Sequence, residues 1–174
     1  MVWSCLVSIL PGMAQTEKLT DYVNPFVGTD GYGNVYPGAQ IPFGGIQISP
    51  DTDSRFYDAA SGYKYNHLTL MGFSLTHLSG TGIPDLGDFL FIPGTGEMKL
   101  EPGTHEDPDQ GYRSRYSHDK EWASPNYYAV ELADYGVKAE MTSGVRSGMF
   151  RFTYPESDNA FIMIDMNHTL WQSC

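Results

Sequence analysis

Glycine and proline recur along the whole chain, and this constrains the fold more than any other feature. Nineteen Gly and eleven Pro are spread over 174 residues without a repeat. They cut the sequence into short segments that suit strands and tight turns better than long helices. No segment carries a sustained helical period, and no internal repeat or heptad is present. One ordinary domain fits this length. Aromatic residues make up 14% of it, enough to furnish a β-rich core.

The last third has the clearest strand pattern. Residues 112–117, 127–132, 137–141, 148–154 and 160–166 each have the length of an ordinary strand. Asp134-Tyr135-Gly136 marks a hairpin turn, and Ser143-Gly144 and residues 155–159 (PESDN) mark two more. Short links between consecutive strands favour an antiparallel sandwich. Earlier, residues 41–49 (IPFGGIQIS), 68–78 and 88–93 (DFLFIP) are strand candidates. Residues 28–34 (GTDGYGN) form a loop, because closely spaced glycines permit positive φ. Residues 51–65 lack a period and read as a long loop.

Charge and motifs exclude several functions. Ten Lys and Arg face 21 Asp and Glu, a formal net charge of -11 that repels nucleic acid and anionic membranes but leaves neutral sugars unpenalised. No phosphate loop, dinucleotide fingerprint or Gly-x-Ser-x-Gly elbow occurs. Cys5 and Cys174 are the only cysteines, so a disulfide framework and a zinc cluster are excluded. His67, His77, His105, His118 and His168 are scattered without metal-ligand spacing and read as hydrogen-bonded or surface histidines. Asp51 with Asp53, and Glu106, Asp107 with Asp109, form two acidic clusters; the second lacks the glycine and terminal glutamate of a calcium loop. Asp85 and Asp88 are candidate turn-capping residues.

At the start, residues 2–10 are apolar and precede small residues at Gly12 and Ala14, as in a secretory leader cut after Ala14, although no basic residue comes first. The run is too short to span a membrane. Residues 56–65 (FYDAASGYKY) with 76–82 (THLSGTG) combine aromatic faces, short polar groups and a Gly-rich turn, the ingredients of a sugar site. The same composition also suits an aromatic core edge.

These stretches carry a family resemblance. Residues 22–29 (YVNPFVGT), 36–39 (YPGA), 41–44 (IPFG), 47–52 (QISPDT), 61–63 (SGY) and 72–82 (GFSLTHLSGTG), then 116–121 (YSHDKE), 123–125 (ASP) and Tyr127-Tyr128, resemble in order the amino-terminal domain of glycoside hydrolase family 92. The resemblance covers residues 19–166. It implies an all-β fold, an antiparallel β-sandwich of the supersandwich, galactose-mutarotase-like kind, incomplete at the carboxyl end. It also implies a parent enzyme, an inverting, calcium-dependent α-mannosidase that removes terminal mannose from α-linked glycans. An inverting enzyme needs an acid and a base about 6.5–9.5 Å apart. The family holds that pair, and the calcium, in an (α/α)-barrel catalytic domain, so neither a metal nor a catalytic residue is expected in this chain. The domain packs on the barrel and lends loops to the substrate rim.

By position, the resemblance nominates Tyr57, Asp58, Ser61, Gly62, Tyr63, His77, Ser79, Gly80 and Thr81 as substrate-binding residues. Tyr57 stands where relatives acting on α-1,2 linkages often carry tryptophan. A bacterial secreted, periplasmic or outer-membrane-associated location follows from the same likeness. Residues 167–174 depart from the pattern and read as a truncation or frameshift tail. The alternative readings are a stand-alone carbohydrate-binding module and an inactive structural remnant.

Overall fold

The computed structural model describes residues 17–54 and 57–170. Among these residues ten strands form three antiparallel sheets. Strands β1 (Ser49–Asp51), β3 (Gly72–Ser74), β4 (Gly87–Thr95) and β10 (Ala160–Thr169) make one four-stranded sheet in that order. Strands β6 (Glu121–Ser124), β7 (Tyr127–Leu132), β8 (Val137–Ser143) and β9 (Gly148–Thr153) make the other. β2 (Thr69–Leu70) and β5 (Ser114–Arg115) pair separately. The fold is therefore the expected all-β antiparallel sandwich.

The second sheet follows its sequence pattern. Register pairs Tyr128 with Met141 and Val130 with Ala139, and continues Met141 to Phe150 and Ala139 to Phe152. That row faces inward, where Tyr128, Val130, Ala139 and Met141 are buried together with Ile48 and Phe73 of the facing layer. Phe73 meets Phe150 and Phe152 across the sandwich, at ring centroid distances of 6.5 and 6.2 Å. The outward row alternates Trp122, Ala129, Glu140 and Arg151. The β6–β7 turn is Pro125-Asn126, with Asn126 at φ 60°, the type II arrangement in which Pro presets the first central residue and Asn accepts the left-handed second. Asn126 also reaches across to Ser143: its Nδ2 donates to the Ser143 carbonyl at 2.8 Å, and its Oδ1 accepts the Ser143 N–H at 3.0 Å.

Several expected strands are shorter or broken. Of residues 41–49 only Ser49 enters a strand, Ile48 making an isolated bridge to Ala39. Pro42, Phe43 at φ 59° and Gly44, whose N–H bonds the Ile41 carbonyl, turn the chain instead. Residues 68–78 split at Met71, whose N–H is taken by the Asp51 carbonyl at 2.7 Å, so β2 and β3 belong to different sheets. β6 carries no periodic signal of its own and emerges only through pairing with β7. Residues 155–159 do turn the chain, but β10 crosses to the opposite sheet and pairs with β4 rather than with β9. The leader-like residues 1–14 lie outside the described residues. Residues 167–170, read above as part of a tail, continue the fold: Thr169 pairs with Gly87, and His168 and Leu170 are buried.

Candidate functional site

The residues singled out in sequence converge on one buried carboxylate. Asp51 ends β1 beside Gly72 of β3 and is fully buried. Its Oδ1 accepts a hydrogen bond from His77 Nε2 at 2.8 Å, and its Oδ2 one from His168 Nε2 at 2.7 Å. His77 Nδ1 in turn donates to the Gln47 carbonyl at 2.7 Å. His77 thus lies between the Asp51 carboxylate and the Gln47 carbonyl, with Ser74 Oγ 3.1 Å from Nε2. Burial acts most strongly on the Asp51 carboxyl and opposes its ionisation. The charge of His77 and the hydrogen bonds from His168 and His77 together outweigh it, holding the group far below the usual carboxylate range.

Gly62 closes this knot. It sits at φ +82°, and a Cβ there would lie 2.2 Å from Asp51 Oδ1, so only glycine fits. Its carbonyl accepts the N–H groups of Thr52 at 2.6 Å and Asp53 at 3.2 Å. The chain between them is thus pinned at both ends, the anatomy of an Ω-loop. Tyr57 opens a single 3-10 turn (Tyr57–Ala59) in that loop and is 64% exposed. Asp58 follows in the same turn, its side chain lying outside the described part of the structure. His77 anchors the start of a second loop, in which Ser79, Gly80 and Thr81 are exposed. The Gly80 N–H reaches the Asn34 carbonyl at 2.6 Å, and Thr81 Oγ1 donates to Ile83, so this loop is braced by the glycine-rich loop at 28–34.

The nominated residues therefore divide into two groups. Tyr57, Ser79, Gly80 and Thr81 present surface. Ser61, Gly62, Tyr63 and His77 are buried and hold the loops from beneath. Tyr63 donates its hydroxyl to Glu121 at 2.9 Å, and Tyr128 does the same at 2.5 Å. His118 Nδ1 donates to the other Glu121 oxygen at 2.6 Å, while its ring stacks on Tyr65 at 3.9 Å. Burial first, then the neighbouring Tyr116 and Glu121, push the Tyr63 hydroxyl far above the usual phenol range, so it remains a donor.

Sequence reasoning missed the partnership of Asp51 with His168, 117 residues away, and that of Glu121 with Tyr63, 58 away. No local spacing signals either. Asp53 and His105 pair at 3.2 Å, with the His105 and His67 rings 4.0 Å apart. Asp109 is held with Asp134 by Arg115, each at 2.9 Å. Asp85 caps its turn as expected, accepting the Leu86 N–H at 2.8 Å, and Asp88 accepts the Thr76 hydroxyl at 2.5 Å. Among the described residues no group of three or more His, Cys, Asp or Glu is placed to hold a metal ion. The buried carboxylates Asp51 and Glu121 are both committed to internal donors, which suits bracing rather than proton transfer.

The structure is thus an all-β antiparallel sandwich with two exposed loops braced from a buried Asp-His knot. Residues 22–174 match the glycosyl hydrolase family 92 N-terminal domain, and the chain belongs to that family. It resembles the family 92 glycosyl hydrolase ccman5 with a TM-score of 0.72 and 30% identity, covering 87% of this chain and 21% of that one. It resembles the family 92 inverting mannosidase BT2199 from Bacteroides thetaiotaomicron VPI-5482 with a TM-score of 0.68 and 28% identity, covering 86% and 20%. An uncharacterized secreted glycosidase of Arthroderma benhamiae is 30% identical over 139 residues, 79% of this chain and 17% of the relative. The chain thus spans about a fifth of the length of the proteins it matches. Among the described residues no helix is long and apolar enough to cross a membrane.

Proposed function

We propose that this chain is the non-catalytic wall of an inverting α-mannosidase, packing on an (α/α)-barrel and extending the rim of its substrate pocket. The likeness to a family 92 inverting mannosidase at 28% identity over 86% of the chain carries this reading. Tyr57 would offer a stacking face to a terminal mannose, with Ser79, Gly80 and Thr81 supplying hydroxyl and backbone donors to sugar hydroxyls. Ser61, Gly62, Tyr63 and His77 act through those loops as positioning residues. The acid, the base and the calcium that the reaction uses belong to the barrel, and the α-linked glycan is held between the two domains. Secretion, as of the Arthroderma benhamiae glycosidase, fits a glycan substrate met outside the cell.

Mannose release from α-mannobiose tests the proposal. The purified chain is assayed alone, and then mixed with the catalytic portion of a family 92 mannosidase expressed without its own N-terminal domain. The expected result is no release by the chain alone and calcium-dependent release on mixing. Calcium-dependent hydrolysis by the chain alone overturns the reading. So does saturable binding of α-mannobiose by the chain with no gain on mixing, which identifies a stand-alone binding module instead.

A further inference from the structure

Thr52 and Asp53, whose N–H groups close the neck of the Tyr57 loop on the Gly62 carbonyl, belong to a second polar cluster. Both are buried. Asp53 Oδ1 accepts the Ser54 N–H at 2.7 Å, and its Oδ2 accepts from His105 Nε2 at 3.2 Å. His105 Nδ1 lies 2.9 Å from Thr69 Oγ1, which also accepts from Arg113 Nη1 at 3.3 Å. The same Arg113 nitrogen donates to the Thr52 carbonyl at 2.6 Å. Contacts therefore run in a closed circuit from Asp53 through His105, Thr69 and Arg113 back to Thr52. The His67 ring packs beside it, 4.0 Å from that of His105, with its Nδ1 3.0 Å from Thr52 Oγ1.

Thr69 lies in β2 and Arg113 directly precedes β5, so the β2–β5 pair fixes both. His105 stands instead on an excursion between β4 and β5, residues 102–111. That excursion is pinned at its own neck. The Tyr112 N–H donates to the Glu101 carbonyl at 2.8 Å and the Arg113 N–H to the Pro102 carbonyl at 3.2 Å. A Cβ at Gly111 would lie 2.1 Å from Gly103 N, so the two backbones touch there. Further in, the Asp107 N–H donates to Thr104 Oγ1 at 3.0 Å and the Thr104 N–H to the Asp107 carbonyl at 3.3 Å. His105 is thus presented from a short closed turn. A side chain held in this way loses little rotamer freedom on bonding, and a hydrogen bond to a carboxylate is among the stronger kinds.

We propose that His105 is a further positioning residue: it clasps the 102–111 excursion to the root of the Tyr57 loop and so fixes the place of Tyr57. The route is short. His105 holds Asp53, the N–H groups of Asp53 and Thr52 hold Gly62, and the chain between Asp53 and Gly62 carries Tyr57. His105 touches no substrate in this role. The clasp stands on the geometry of this chain alone, while its effect on sugar binding rests on the mannosidase reading given above.

Hydrogen exchange of the full chain reads the clasp. His105→Ala is expected to speed exchange in residues 52–62 about tenfold or more, the effect of losing a hydrogen bond to a charged group, with the β6–β9 sheet unchanged. His105→Gln keeps a donor for Asp53 and is expected to restore most of the protection. Arg115→Ala releases Asp109 of the same excursion without touching His105, and is expected to leave residues 52–62 as in the wild type. On mixing with the family 92 catalytic portion, His105→Ala is expected to raise KM for α-mannobiose about twofold or more with kcat nearly unchanged, and Tyr57→Ala at least as much. Unchanged exchange in residues 52–62, a uniform rise over both sheets, or a defect that His105→Gln does not relieve overturns the inference. So does a KM that moves with Tyr57→Ala but not with His105→Ala. If neither variant moves KM while exchange follows His105, the clasp stands and the role of Tyr57 at the rim fails.

Discussion

The two large sheets teach opposite lessons about where a fold is encoded. In the β6-β7-β8-β9 sheet every neighbour is also the next strand in sequence, joined by a short turn. Its inward row of Tyr128, Val130, Leu132, Ala139 and Met141 is written as plain alternation. The β1-β3-β4-β10 sheet instead assembles strands that begin at residues 49, 72, 87 and 160, and its strands are fixed by distant partners. The exposed loops hang from this second sheet. The candidate site therefore rests on the part held together by non-local contacts, with the meander packed behind it.

If that contrast is right, the largest effect comes from Asp51. Asp51→Ala strands His77 and His168 beside an empty site and is expected to cost roughly 3–5 kcal/mol, as for other broken buried ion pairs. Urea denaturation measures the loss, and hydrogen exchange should show it first in residues 52–62 and the end of β10, with the meander still protected. Uniform loss of protection in both sheets would dissolve the comparison.

The same carboxylate predicts acid behaviour. Its folded-state pKa lies below the usual value of about 3.9. Its contribution is thus fully present above that value and is lost as pH falls through the lower folded one. Stability of the wild-type chain is expected to fall below about pH 4, while Asp51→Ala flattens that limb. A melt followed from neutral pH downwards compares the two.

Gly62→Ala forces a side chain into the left-handed region and against Asp51 Oδ1, with an expected cost of at least about 1–3 kcal/mol. The Gly62→Ala chain should also lose order around Tyr57, read by tyrosine fluorescence quenching. Asn126→Ala, in the meander, costs about 1–2 kcal/mol through the same backbone strain and the loss of both hydrogen bonds to Ser143. Asn126→Gly restores the turn's freedom and separates the two contributions. Arg115→Ala removes an exposed, solvent-screened bridge to Asp109 and Asp134 and is expected to shift the urea midpoint least of these variants.

Much of the meander was legible because its strands are local: residues 127–132 match β7, and the turn at Gly136, with φ 64°, falls where Asp134-Tyr135-Gly136 places it. The sheet carrying the loops was less so. Residues 41–49 look like a strand from their Ile46 and Ile48 alternation, but Pro42 and Phe43 turn the chain there. Residues 68–78 look continuous, but Asp51 captures the Met71 N–H. For the candidate site, sequence identified the loops with Tyr57 and with Ser79, Gly80 and Thr81, and it singled out Ser61, Gly62, Tyr63 and His77. It did not separate residues that present surface from those that brace it, because burial depends on what packs above a side chain.

The sequence by itself determined an all-β chain of short strands, the family, the places of β7, β8 and β9 and the requirement for glycine-permissive turns, because each follows from neighbours a few residues apart. Only the tertiary structure decided that Asp51 would bind His168 across 117 residues and that β10 would cross to the opposite sheet. Those outcomes depend on which distant segments are brought together when the core closes, and loop closure over long separations leaves no periodic mark on the chain.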